Sequence, residues 1–336
     1  MVITRERIKL TFLSYHEIIM QFYTNFINIV VREVIGFIFR FSGISYILRE
    51  VLLKNKATIV VYHDPEPKVF EKHIRYLSKH YNFLSLNKLV DAIHKKDRSD
   101  IPAKPLIVTI DDGHSGNYKL LEIFKRYNIN PTIYLCSHVI NTNRKFWFKA
   151  CLSRSEELKK LPYEAMLKSL WNEVNYQLEK EYQQRQALNI DELNKMLPYV
   201  EFGSHTKFHP ILTTCTDEKC REEVEESKKY LETLLNRPIE HFAYPNGDYA
   251  EREMKFAMNC GYKSARTLDC GLNDIHSNPF KLKVNEIQDN ASLNILCAQV
   301  GSLFPFIRYL RKNYLKSHRK FISNIYRKLR WLKKLK

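Results

Sequence analysis

At 336 residues and 44% hydrophobic content the chain can bury a sizeable core, and one large α/β domain with appendages fits better than two equal domains. The net charge of +17 is unevenly placed: residues 301–336 carry twelve Lys/Arg and no Asp/Glu, leaving +5 for the first 300, so the basicity is mostly a tail on a nearly balanced body. The seven cysteines are odd in number and lack framework spacing, which argues against a disulfide scaffold or a structural zinc site and suits a reducing compartment.

Residues 1–56 are rich in Ile, Phe, Val and Tyr but broken by charge. Glu6 and Glu17 interrupt the start and no small-residue cleavage site is evident, so the expected location is cytoplasmic. Ile18 to Val31 is an uncharged run of fourteen, and Val34 to Phe39 ends at Arg40. Neither reaches the roughly 18–20 residues of a spanning helix. Amphipathic helices in a bilayer interface and helices packed on the body are the two readings.

From Ala57 the pattern changes. Ala57 to His63 reads as a strand, Lys68 to His80 as a helix with Phe70, Ile74 and Leu77 inward, and Leu86 to Ile93 as another capped by Ser85. Leu106 to Asp111 is an apolar run of the kind a buried parallel strand needs. Tyr118 to Tyr127 is amphipathic, and Pro131 to Cys136 is a third strand. Residues 141–199 hold no convincing strand and read as a helical insert. Strands return at Tyr199 to Gly203, His241 to Tyr244, Tyr262 to Arg266 and Leu282 to Ile287, with helices predicted at Thr216 to Leu235 and Arg252 to Cys260. About seven strands alternating with helices argue for a parallel sheet able to close into a barrel. No Gly-rich phosphate loop follows any strand, so nucleotide chemistry is not favoured. Residues 301–336 interleave bulky apolar side chains, Trp331 among them, with basic ones. This is a basic amphipathic tail suited to an anionic membrane surface, with nucleic acid the weaker partner.

Two stretches carry chemistry. Ile110-Asp111-Asp112-Gly113 delivers adjacent carboxylates to a strand's C-terminal end, where parallel α/β proteins build their sites. Gly203-Ser204-His205-Thr206-Lys207-Phe208-His209-Pro210 places two histidines four apart, on one face if a helical turn joins them. Two histidines and one aspartate leave metal positions open for water and substrate, with Zn²⁺ the default ion. The second acid can then take a proton from the water that the ion activates, which means hydrolysis of an acyl group.

Thr109-Ile110-Asp111-Asp112-Gly113, Ser204-His205-Thr206-Lys207-Phe208-His209-Pro210 and Phe242-Ala243-Tyr244-Pro245-Asn246-Gly247 resemble, in order, the three motifs of polysaccharide deacetylases, carbohydrate esterase family four. The resemblance covers roughly residues 57–290. It implies a distorted (β/α)7 barrel, set at residues 57–300; the helical extensions at 1–56 and 301–336 are read from their own residues. It also implies metal-dependent removal of an N- or O-acetyl group from a sugar; the amphipathic ends make that sugar a glycan precursor or a lipid-linked one. Carried over, Asp111 is the general base; Asp112, His205 and His209 are metal ligands; and Asn246 offers a backbone N–H to the oxyanion, with Tyr244 and Pro245 beside the substrate.

Two of the family's parts are missing. Ala243 stands where the third motif often has an arginine that steadies the base; Arg266, at another strand end, is the candidate replacement, a structural arginine the alternative. Leu282-Lys283-Val284 lacks the histidine of the family's late motif, and His63 is the candidate general acid. Trp147, between Phe146 and Phe148, either walls the sugar site or fills the insert's core. The competing functions are a sugar-binding barrel whose chemistry has lapsed, and a deformylase or other C–N hydrolase on a lipid-linked sugar. The expected seat of the enzyme is the inner face of a membrane, held peripherally.

Overall fold

In a computed structural model, which describes residues 27–301 and residue 303, the apolar runs become parallel strands. These are β1 (Thr58–Tyr62), β2 (Asn82–Phe83), β3 (Pro105–Ile110), β4 (Thr132–Leu135), β5 (Glu201–Ser204), β6 (His241–Ala243), β7 (Ser264–Cys270) and β8 (Leu282–Glu286). All but β2 form a closed ring in the order β1-β8-β7-β6-β5-β4-β3, with β3 returning to β1. The fold is the expected distorted (β/α)7 barrel. The distortion has local causes: β5 and β6 share the single pair Ser204↔Phe242, and the β7–β8 register slips between Arg266 and Cys270. The two-residue β2, which has no run or alternation to betray it, leans on β3 at Pro105 and Leu106.

Pleating sorts the strand residues into two layers. Val60, Tyr62, Val108, Ile110 and Leu135 join the large cluster beneath the outer helices. Ile59, Val61, Ile107, Tyr134 and Ala243 join a second cluster that fills the barrel, floored by Leu86, Leu89, Val90 and Ile93 of the helix Leu86–Lys95. Because both faces are covered, β1, β3 and β4 are buried along their whole length, as continuous apolar runs require.

The helices begin where the caps lie. Ser85 accepts from the Lys88 N–H and Thr216 from the Lys219 N–H, opening the helices Leu86–Lys95 and Asp217–Leu235. The predicted helix over 118–127 starts instead as a 3₁₀ segment, Ser115–Leu120, and turns α only at Leu121. Within residues 141–199 lie the helices Trp147–Ala150, Ser155–Leu158, Tyr163–Val174 and Ile190–Met196. Residues 27–41 form a helix that docks by buried Phe39 and by Glu33, whose Oε2 accepts from Ser292 Oγ at 2.8 Å. Residues 1–26 and almost all of the predicted basic tail lie outside the described residues.

Candidate active site

Asp111 continues the inward face of β3 begun by Ile107 and Thr109, and its N–H donates to the Tyr62 carbonyl at 2.9 Å. The chain then turns sharply: Asp112 and Gly113 both adopt left-handed backbone, at φ 69° and 73°. Glycine suits the second position because its left-handed φ strains a larger residue, and a Cβ there would press on Leu135 Cδ2 at 2.6 Å. The turn sends the two carboxylates in different directions.

Asp111 meets Arg266, whose Nη2 donates to both carboxylate oxygens. Arg266 comes from β7, is 1% exposed, and lies over the Tyr134 ring at 5.1 Å. Tyr134 reaches the barrel centre because residue 203 is glycine; a Cβ there would meet Tyr134 Cδ1 at 2.5 Å.

Asp112 faces the histidines. Its Oδ1 lies 3.6 Å from His205 Nε2 and 3.5 Å from His209 Nε2, buried and without a hydrogen-bond partner. The two histidines are not joined by the helical turn the spacing suggested. Thr206 and His209 take left-handed φ values of 68° and 61°, and the loop between them is pinned by a buried carboxylate. Glu223 Oε2, from the helix Asp217–Leu235, accepts from the N–H groups of Lys207 at 2.9 Å and Phe208 at 3.1 Å. His205 Nδ1 bonds the Ala243 carbonyl at 2.8 Å, so it carries the proton and leaves Nε2 free to ligate.

These residues fit a divalent cation. One oxygen and two nitrogens lie within 4.8 Å of one another, and the Oδ1–Nε2 spacings are close to the about 3.4 Å edge of a tetrahedron with ~2.1 Å bonds. Their protonation suits it too. Burial keeps His205 below the ordinary histidine value and brings His209 down to about 3, so both are neutral at pH 7. Burial alone would raise Asp112, but the His114 hydrogen bond and the nearby His209 and His205 hold it well below the usual carboxylate range.

The matching family model is that of polysaccharide deacetylase, over residues 98–265. The chain belongs to the polysaccharide deacetylase family. YxkH of Bacillus subtilis (strain 168), whose name places it in the same family, is 20% identical over 226 residues, 64% of this chain and 66% of its own. The match thus spans just under two thirds of that relative's length. Among solved structures, the Streptococcus pyogenes deacetylase PplD in complex with acetate superposes with a TM-score of 0.55 at 19% identity, covering 73% of this chain and 98% of that one. A de-N-acetylase from Aggregatibacter actinomycetemcomitans gives 0.53 at 16%, covering 73% and 99%. At these identities the structures establish the fold.

Around the deacetylase-family motifs the remaining predicted residues separate. His63 sits at the end of β1, its N–H and that of Asp64 held by the Asp289 carboxylate at 3.1 and 2.8 Å. Burial pulls its pKa down, but Asp111, Asp112, Asp289 and Glu286 together leave it raised. Asn246 follows β6 in a tight turn at φ 58°, its Nδ2 donating to Asp248 at 2.7 Å. Pro245, at the start of that turn, is buried. Tyr244 points into the core, stacked on Tyr249, with its hydroxyl donating to the Phe280 carbonyl at 3.3 Å. Trp147 is 1% exposed and stands behind the site, not on its wall: its Nε1–H donates to the His209 carbonyl at 2.8 Å, while Phe148 takes the place against the His209 ring. The side chain of residue 147 is too well buried to stack on a sugar.

Sequence reasoning missed His114, Tyr134 and Glu223. The only signal for His114 was its place directly after Asp111-Asp112-Gly113; Glu223 and Tyr134 had none, because each acts across the fold.

Proposed function

We propose that this chain is a metal-dependent hydrolase that removes an N- or O-linked acetyl group from a glycan or lipid-linked sugar. One observation carries the reading: the buried, unpartnered Asp112 Oδ1 faces two neutral histidine nitrogens, one residue from a carboxylate gripped by Arg266. Asp112, His205 and His209 would hold a divalent cation, Zn²⁺ being the best match to that donor set, and when bound it would supply Lewis acidity to the acyl carbonyl and to the attacking water.

Asp111 takes a proton from the water as its oxygen adds to the acyl carbon, and Arg266 fixes the carboxylate's orientation for that transfer. The Asn246 N–H donates to the oxyanion. As the C–N or C–O bond breaks, His63 gives a proton to the departing amine or alcohol, a role its raised pKa favours. The products are acetate and the free sugar. Acetate in the PplD structure and the de-N-acetylase name of a second neighbour support acetyl as the acyl group. The contact of Arg266 with Asp111 favours an active site over a lapsed sugar-binding barrel, because it fills the slot left by Ala243.

The zinc-loaded protein is expected to release acetate from N- or O-acetylated sugars, and Asp111→Asn to lose that activity while still binding zinc. Formate release from formylated sugars instead would make it a deformylase. Sugar binding with neither product would make it a lapsed enzyme.

We place the enzyme at an anionic membrane surface. Thirteen of the nineteen exposed large apolar side chains among the described residues fall within Ile27 to Leu52. The two acids of that stretch are engaged elsewhere, Glu33 with Ser292 and Glu50 with Lys104. No helix among the described residues is long and apolar enough to cross a membrane. An amphipathic seat in the interface, joined by the basic tail, therefore suits the surface better than a span.

A further inference from the structure

The helical insert reaches the proposed metal site from outside. Its Lys149 Nζ lies 3.2 Å from His114 Nδ1, and His114 Nε2 lies 3.1 Å from Asp112 Oδ2. An ammonium group can only donate, so Nδ1 of His114 must accept and its proton must sit on Nε2, aimed at Asp112. Oδ2 is thereby occupied, and Oδ1 is the oxygen left to face His205 and His209. His114 is itself clamped. Ala187 of the insert pairs with it in an antiparallel bridge, the Ser115 N–H donates to the Gln186 carbonyl at 2.9 Å, and the Phe146 ring meets the imidazole edge-on at 4.8 Å. The same insert bonds the His209 carbonyl through Trp147.

We infer that His114 and Lys149 are positioning residues: the chain Lys149–His114–Asp112 selects which oxygen of Asp112 ligates the cation, and the insert 141–199 is the outer shell of the metal site. This rests on the Asp112/His205/His209 site proposed above. Fixing the ligand's rotamer in advance removes an ordering cost from metal binding, as outer-sphere partners do in other carboxylate–histidine sites.

The test is zinc affinity of the full-length protein, measured by competition with a chelating dye, with thermal unfolding as the control for fold. His114→Phe keeps the aromatic contact with Phe146 but cannot donate; it is expected to weaken zinc about 10–100-fold. His114→Gln, which can accept from Lys149 and donate to Asp112, is expected to recover most of the loss. Lys149→Met leaves Asp112 untouched and removes only the constraint on the tautomer, with an expected loss of a few-fold. Lys149→Arg should behave like the parent. Unchanged zinc affinity in both His114→Phe and Lys149→Met overturns the inference while leaving the proposed function standing. Failure of the parent protein itself to bind zinc, nickel or cobalt overturns the proposed site instead.

Discussion

Asp112 has two oxygens with different neighbours, and most of the site's chemistry follows from that division. Replacing it with alanine removes the only anionic donor, so zinc stoichiometry by elemental analysis should fall from about one to near zero. Arg266 is buried with its charge satisfied by Asp111. Arg266→Met leaves Asp111 in place without a partner. A lost charged hydrogen bond is worth ~1.5–3 kcal/mol, so kcat for acetate release should drop about 10–100-fold. Zinc affinity should hardly change, and a parallel loss of zinc would mean that Arg266 serves the ligands and not the base. The adjacent acids were read in the sequence as a pair pointing apart, and the two carboxylates do face different neighbours. Arg266 stood in the sequence as the candidate to steady the base, with a structural arginine the alternative; only the fold decided between them, because Arg266 lies 155 residues from Asp111 in the chain.

At the scale of elements, the site hangs on two loops held in backbone that most residues avoid. Asp112-Gly113 turns left-handed after β3, and Thr206 and His209 do so after β5. The second loop depends on the helix Asp217–Leu235, through Glu223 and its two accepted N–H groups. The Glu223 carboxylate is fully buried; burial pushes its pKa up, and Lys219 at 3.0 Å works against that. Glu223→Ala strands both N–H groups. It should cost about 1–3 kcal/mol of stability in urea unfolding and weaken zinc binding together with it. Zinc affinity that survives a clear loss of stability would show that the loop keeps its shape unaided. The histidine spacing was read in the sequence as a candidate ligand pair, on one face if a helical turn joined them; both rings do face Asp112, but a loop and not a helix brings them there. A spacing of four constrains only how close two side chains can come, and a loop pinned from across the fold meets the same distance as a helix does.

For the whole molecule, acid should be the weak point. Burial brings His209 and His241 down to about 3 and His138 to about 4, against 6.5 for the free side chain. An unfolded chain takes up these protons near pH 6.5, whereas the folded one resists until near 3–4. The stability they confer is therefore complete above pH 6.5 and is lost as the pH falls toward 4. Calorimetry of the metal-free protein should give a Tm that declines steadily from pH 7 to pH 4.5; a flat profile would contradict the burial of these rings. The apolar face of residues 27–52 supplies a second prediction at this scale. Changing Phe37, Ile38 and Phe41 together to serine should reduce co-sedimentation with phosphatidylglycerol vesicles without altering acetate release from a soluble substrate. Undiminished sedimentation would assign membrane attachment to the basic tail alone.

The amino-acid sequence by itself determined the barrel and the identity of the motif residues. Buried parallel strands need continuous apolar runs, and the proposed ligands and base at strand ends are carried by short contiguous segments; both are local signals. Only the tertiary structure decided the partners of those residues. Arg266 on Asp111, His114 and Lys149 behind Asp112, Glu223 beneath the histidine loop and Trp147 behind His209 are pairings between segments far apart in sequence or across a turn. Their formation depends on how the ring closes and where the insert folds back, and no local periodicity encodes either.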